Sequence, residues 1–309
     1  MRSLPPFDSN QPLLRGNLHG HSTHSDGVRT PQEVVETYYQ LGYDFIAISD
    51  HLWHDTTYAA TTILDASSFD KSDFITLPSA ELHCLGKLYD NDGLWHIVAN
   101  GLPLDFDVAH PDETAPQMIQ RALDAGAYVT MAHPEWYSMT TDEAIAISHV
   151  HGVEIHNYSC VIGSNRGSGI LIADYLLQEG KKVNFTATDD SHFTTPDWAG
   201  GWVMVAAELS QQDIVESLKQ GRHYSSSGGV FHDIRLDNKT LIIDCAPTQS
   251  IMISGAGHTA LSQHGHNMTH ASFDLSSFNS PWFRVTLFNK DGTRAWSNPY
   301  WKDQFTEFS

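Results

Sequence analysis

Two rhythms alternate along the first two thirds of the chain. Short apolar runs such as Phe45-Ile46-Ala47-Ile48 read as buried strands, and between them apolar residues recur at the three- and four-residue spacing of helices. The helix signal is strongest after Thr30. Thr30-Pro31-Gln32-Glu33 supplies an N-cap, a proline at the first helical position and a capping-box glutamate, and Val34, Val35, Tyr38 and Leu41 form an apolar face. The same beat predicts strands near 74–80, 96–101, 128–132, 153–157, 183–188 and 202–207, and helices near 116–125, 141–148, 170–179 and 211–220. Thr140-x-x-Glu143 and the weaker Ser210-x-x-Asp213 mark two helix starts. Strand–helix alternation over this length predicts an α/β barrel.

After Gly221 the texture changes. Ser225-Ser226-Ser227-Gly228-Gly229 punctuates the chain, and the remainder shows short β-like runs at Ile234–Leu236, Leu241–Asp244, Ile251–Ser254 and Phe283–Phe288, separated by Asn, Asp and Gly turns. The pattern predicts an α/β domain over 1–229 and a small, sandwich-like all-β domain over 230–309. The sequence has no solenoid repeat and no low-complexity tract.

At 309 residues and 34.4 kDa the chain can bury a sizeable core. Seventeen Lys and Arg stand against 37 Asp and Glu, a formal net charge of -20, which disfavours nucleic acid and anionic membranes as partners. An anionic substrate would need local positive charge, and bound metal would supply it. Cys84, Cys160 and Cys245 form no C-x-x-C, so no disulfide framework is implied. Met1–Asn10 lacks the apolar core of a signal peptide, and no stretch reaches the ~18 apolar residues of a membrane span. A soluble, cytoplasmic protein is expected.

Nineteen histidines outnumber lysine and arginine together. Imidazole is the commonest protein metal ligand, so the positions of these residues matter. In Asn17-Leu18-His19-Gly20-His21-Ser22, residues i and i+2 of an extended strand point the same way, and His19 and His21 can face one ion. Ser25-Asp26-Gly27 comes next. Asp50-His51 ends the next expected strand, Glu81 follows the run from Phe74 to Ala80, and His96 opens Ile97-Val98-Ala99. Met131-Ala132-His133-Pro134 and Thr188-Asp189-Asp190-Ser191-His192 end two more. Ligand-type residues at five successive strand ends point to a metal site where a barrel carries its catalytic residues.

In that order, H-x-H with S-D-G, S-D-H, an isolated Glu, H-I-V, A-H-P and D-x-H resemble the polymerase and histidinol phosphatase (PHP) superfamily of metal-dependent phosphoesterases. The motifs span Asn17 to His192. The resemblance implies a distorted (β/α)7 barrel with a trinuclear centre at the C-terminal strand ends. It implies a first ion on His19, His21, Glu81 and Asp190, a second on Glu81, His96 and His133, and a third on Asp26, His51 and His192. Many members have a histidine near the position of Asp26. Gly221-Arg222-His223-Tyr224-Ser225-Ser226-Ser227-Gly228 and Arg294-Ala295-Trp296-Ser297-Asn298-Pro299 resemble the branch that joins such a barrel to a small β domain, sometimes grouped with carbaryl-type ester hydrolases. Activity in that branch is varied.

Imidazole and carboxylate suit two or three divalent ions of Zn, Mn or Fe. Water held between such ions is acidified and attacks phosphorus or carbonyl carbon. The expected activity is hydrolysis of phosphate mono- or diesters of a small metabolite. Carboxylic or carbamic ester hydrolysis at the same centre is the alternative, and a non-catalytic metal-binding accessory protein is a third. His24 is the candidate general acid, and Arg166 or Arg222 the candidate phosphate clamp. The sequence has no G-K-[ST] phosphate loop and no G-x-S-x-G elbow.

Other polar residues invite plainer readings. His83 is expected to cap its strand at the surface, and His54, His110, His149 and His151 to be solvated. His258, His264, His266 and His270 are expected in a loop, and Gly163 to Gly169 as a flexible loop before a helix. Glu154 and Asn157 fit either support of the ligands or simple folding roles, Asp189 a hydrogen-bonding neighbour, and Asp174 a structural role. Since every expected ligand precedes Phe193, deleting the segment from Val230 onward should leave the ligand set intact but lower solubility, because the β domain is expected to bury apolar surface against the barrel.

Overall fold

The structure, a computed structural model, describes residues 1–88 and 93–308. The N-terminal part alternates strands β1 (Leu13–Asn17), β2 (Phe45–Ile48), β3 (Ile75–Leu85), β4 (Leu94–Asn100), β5 (Tyr128–Met131), β6 (Gly152–Asn157), β7 (Asn184–Thr188) and β8 (Trp202–Ala206) with helices. The helices are α1 (Pro31–Gln40), α2 (Ala115–Asp124), α3 (Thr141–Ala146), α4 (Tyr158–Ser164), α5 (Ile170–Gln178) and α6 (Gln211–Lys219). The helix starts obey the expected chemistry. Thr30 Oγ1 accepts from the Glu33 amide while Glu33 accepts from the Thr30 amide, and Thr140 with Glu143 repeats the box. Behind the α1 cap, Val34, Val35 and Tyr38 are buried, and Tyr38 lies edge-on to Tyr43.

The strands mix parallel and antiparallel pairings, where an undistorted α/β barrel would be parallel throughout. Strands β1, β2 and β3 run parallel, but β3 and β4 form an antiparallel pair with Glu81 opposite Val98 and His83 opposite His96. Strand β4 is also antiparallel to β5, and the parallel order resumes through β6 and β7. Because β4 runs backward, its beginning lies where its neighbours finish, which puts His96 among residues from strand ends. Beyond β7, Gly20 bridges Ser191 in parallel, and the His21 and Asp190 amides donate to Ser191 and His19 carbonyls. The first and seventh strands therefore meet at their C-terminal ends.

A mixed sheet continues into the C-terminal part. Strand β8 pairs with β1 and with β9 (His223–Ser226), and β9 pairs with β14 (Arg294–Ser297). Between them lie β10 (Phe231–Asp237), β11 (Thr240–Ser254), β12 (Ala260–Asp274) and β13 (Trp282–Phe288), all antiparallel to their neighbours. The two strands expected at Leu241–Asp244 and Ile251–Ser254 are one strand, β11, which pairs first with β10 and then with β13. Pro247 has no amide hydrogen to give, and it sits where the β12 register breaks between Asp244 and Thr248. The loop expected around His258 to His270 is mostly strand: His264, His266 and His270 belong to β12. The Gly163–Gly169 segment contains the end of α4, which stops at Asn165 in the left-handed conformation.

The two parts share side chains as well as a sheet. Trp282, Trp296 and Trp301 pack into the core formed around β4 to β7 and α2, α3 and α5. Arg284 holds Asp174 of α5 with two bonds of 2.9 and 2.7 Å, so Asp174 is structural as expected. At β7, Asn298 accepts from the Phe185 amide at 2.7 Å, while Ser225 Oγ donates to the Phe185 carbonyl at 2.8 Å and the His223 ring lies 3.0 Å from it. The R-H-Y-S-S and W-S-N-P segments therefore finish the outer edge of β7. Removing the chain from Val230 onward would strip Asn298 from that edge and the three tryptophans from the core, although every expected ligand would remain in the chain.

Candidate metal centre

All nine expected ligands converge at the end of the strands where β1 and β7 meet. His19 and His21 lie on the extended segment past β1, and His51 opens a two-residue strand, His51–Leu52, paired with Glu81 and Leu82. Glu81 is not at a strand end but inside β3, which runs on to Leu85 because β4 pairs with it from Ser79 to Leu85. His133 and Asp190 have positive φ, 22° and 54°. Side chains with a Cβ rarely adopt that conformation, and here it turns the chain sharply enough to aim both ligands inward.

The donor atoms fall into groups. His19 Nε2 lies 3.4 Å from Glu81 Oε2 and 3.2 Å from Asp190 Oδ1; His21 Nε2 lies 3.6 and 2.9 Å from the same oxygens. Donors at about 2.1 Å around a tetrahedral ion stand about 3.4 Å apart, a spacing these pairs approach, and His19, His21 and Glu81 form one group of mutually close donors while His19, His133 and Asp190 form another. The other Glu81 oxygen, Oε1, lies 2.8 Å from His96 Nδ1 and 3.0 Å from His133 Nε2. Asp26 spans His51 Nε2 and His192 Nε2, each at 3.5 Å. Buried His19 Nε2 makes no hydrogen bond, an expensive state for a polar atom that an ion would relieve. The donor set fits divalent metal.

The field of this cluster is strongly coupled. Burial opposes ionisation of Glu81 and Asp190, yet the surrounding histidines hold both carboxyls well below their ordinary range. Burial also opposes a charge on His51, but Glu81 and Asp26 push it up to about 10, and in the same way Asp26 and Asp190 raise His192 to about 9. Burial and the neighbouring His192 and His51 bring His21 down to about 3. Without an ion, His51 and His192 therefore carry protons at pH 7. Their raised values stabilise the metal-free protein below the ordinary 6.5, and that contribution is lost as pH rises through about 9 to 10. Metal must displace those protons. Adding Zn²⁺ to chelated protein in weak buffer should acidify the solution, and affinity for the Asp26 group should rise ~10-fold per pH unit for each proton displaced. An indicator dye that records no proton release would contradict this assignment.

A layer of buried polar groups supports the ligands. Glu154 Oε1 lies 2.7 Å from His19 Nδ1 and accepts from Thr188 Oγ1, while Oε2 accepts from the His133 amide and Asn157 Nδ2. Asn157 Nδ2 also donates to Asp190 Oδ2. Glu154 and Asn157 thus support the ligands. Asp189 accepts from the Ala199, Gly200 and Gly201 amides and from Tyr38 OH, the neighbour role expected of it. Asp50 fastens the Ser22–Ser25 turn through the Ser22 amide and both hydroxyls, a role its position past β2 did not reveal.

His83 is a correction. Far from capping a strand at the surface, it is wholly buried and lies among the ligand rings. Burial, together with His96 and His51, holds it well below the ordinary histidine range, so it stays neutral. The signal was its i+2 spacing from Glu81, which puts both on one face of β3.

A cavity of about 530 Å³ opens over the centre, walled by Tyr58, Leu94, Trp136, Ser159, Cys160 and Ser164. The three expected helpers do not line it. The His24 ring is bonded to the Thr62 carbonyl at 3.0 Å, and Arg166 is exposed just past α4. Arg222 follows Gly221, which lines a separate hollow of about 870 Å³ at the other end of β7, beside Asn184.

No family model and no curated protein matches the sequence. Among solved structures, the chain is similar to a two-domain protein from Bacteroides vulgatus described as containing a predicted PHP-like metal-dependent phosphoesterase. The identity is 16% and the TM-score 0.53, over 97% of this chain and 98% of that one. A protein from Bifidobacterium adolescentis named as a metal-dependent phosphoesterase matches at 15% identity and TM-score 0.40, over 62% and 91%. An amidohydrolase from Chromobacterium violaceum matches at 15% and 0.45, over 59% and 89%. At such identities the likeness is one of fold, and the first match extends it to nearly the whole of both chains. Among the described residues, no helix is long and apolar enough to cross a membrane.

Proposed function

We propose that this chain, which shares the fold of a PHP-like two-domain protein, is a hydrolase of the PHP superfamily that cleaves phosphate mono- or diesters of a small metabolite with two or three Zn, Mn or Fe ions. In this reading the seven strands from β1 to β7 are a distorted (β/α)7 barrel, and the chain from residue 230 is a second, all-β domain. One observation carries the proposal: the two oxygens of Glu81 face two separate donor groups, His19, His21 and Asp190 on one side and His96 and His133 on the other. A carboxylate so shared is suited to hold two ions close together.

His19, His21, Glu81 and Asp190 would hold the first ion, Glu81, His96 and His133 the second, and Asp26, His51 and His192 the third. Bound there, the ions would lower the pKa of water toward neutrality and offset negative charge developing on the oxygens around a reacting phosphorus. The protein's own share is positioning. Glu154 fixes the His19 ring through Nδ1, Asn157 orients Asp190, and Tyr58, Leu94 and Trp136 narrow the approach and exclude bulk water.

An ester of a carboxylic or carbamic acid is the second reading, favoured by the cavity wall: among its described residues none is Lys or Arg, so no ammonium or guanidinium there favours phosphate over a neutral carbonyl. Prolonged chelation should abolish hydrolysis, and Mn, Zn or Fe should restore it. p-Nitrophenyl phosphate, bis(p-nitrophenyl) phosphate and p-nitrophenyl acetate distinguish the substrate classes. Full activity in protein shown metal-free by elemental analysis would refute the proposal.

A further inference from the structure

We infer that His83 is a positioning residue that sets the tautomer and ring orientation of His51, and through them the ligand group of Asp26, His51 and His192. The inference rests on the proposed metal centre and concerns what holds one of its ligands in place.

Proton placement follows from the partners. His83 Nδ1 lies 3.1 Å from the Trp95 carbonyl, which can only accept, so Nδ1 carries the proton. In the neutral ring Nε2 is then an acceptor, and it lies 2.8 Å from His51 Nδ1. His51 must donate from Nδ1, which leaves its Nε2 lone pair for an ion shared with Asp26, whose Oδ2 is 3.5 Å away. Glu81 Oε2 lies equally near His51 Nδ1, at 2.8 Å, but it also faces the His19 and His21 donors at 3.4 and 3.6 Å, so an ion held there would engage that oxygen and leave His83 to receive the His51 N–H. A ligating histidine usually gives its second N–H to a carboxylate, carbonyl or water. Here the receiver is another imidazole, itself locked by a backbone carbonyl.

The same ring braces a second ligand. His83 and His96 are cross-strand partners on β3 and β4, with ring planes perpendicular and centroids 4.4 Å apart. Phenylalanine at position 83 would keep that packing and remove the acceptor. Glutamine can accept from His51 with its carbonyl oxygen and donate to Trp95 with its amide.

The test uses full-length wild type, His83→Phe and His83→Gln, each chelated and then titrated with Zn²⁺ against a chromophoric chelator, with long-range ¹H–¹⁵N spectra of labelled histidine rings. The wild-type spectrum should show His83 protonated on Nδ1, a result that needs no variant to fold. His83→Phe should lose about 10- to 100-fold in affinity for one ion of the set while the rest bind as in wild type, and His83→Gln should recover most of the loss. A proton on His83 Nε2, undiminished binding by His83→Phe, equal weakening of every ion, or a folded His83→Gln without recovery would each overturn the inference. Wild type that binds no Zn²⁺ at all would instead overturn the functional proposal, and the inference with it.

Discussion

Replacing Glu81 with glutamine should lower turnover more than about 100-fold and reduce bound metal by at least one ion per chain, a larger loss than is usual for a residue that only touches a ligand. The side chain keeps its shape, so the folded chain should persist. What changes is chemistry on both faces of the group. Oε2 lies near His19 and His21, and Oε1 lies 2.8 and 3.0 Å from His96 and His133. An amide must turn its NH₂ toward one pair, where it donates into lone pairs that a metal needs, and it cannot neutralise two neighbouring cations. Turnover and elemental analysis on the same sample decide the matter. Near-normal values for both would mean that Glu81 does not bridge.

Glu154→Gln should show the second largest effect, through groups that never touch an ion. The carboxylate receives four contacts, from His19 Nδ1, Thr188 Oγ1, the His133 amide and Asn157 Nδ2. The amide of glutamine would place a donor against one donor pair, leaving buried hydrogens unmatched. Breaking such a buried arrangement costs about 3 kcal/mol, and loosened ligands lose about 10- to 100-fold in metal affinity. Urea unfolding of the metal-free variant measures the first effect and a Zn²⁺ titration the second. A variant that melts and binds like wild type would show the charge at 154 to be unnecessary.

Much of this centre was legible because chelation needs particular donors at particular spacings. His19 and His21 declare themselves by alternation alone, and the Thr30 and Thr140 boxes mark two helix starts without reference to packing. What the chain conceals is direction and depth. Nothing in Leu94 to Asn100 says that β4 runs against its neighbours, since an apolar run reads the same both ways. Strand β12 is polar at His264, His266 and Asn267 and mostly exposed along its length, so it has the composition of a loop. His83 and Glu154 were visible as residues, but their importance comes from burial, which depends on elements far away in sequence.

Phe185 has a last consequence. Its amide and carbonyl are claimed by side chains from positions 223, 225 and 298, so strand β7 is completed by residues from far along the chain. Five residues later that strand delivers Asp190. A recombination event that exchanged the tail for an unrelated module would leave β7 unfinished and its ligand less firmly held. A newborn chain leaving the ribosome therefore cannot complete the outer edge of β7 until Asn298 has emerged.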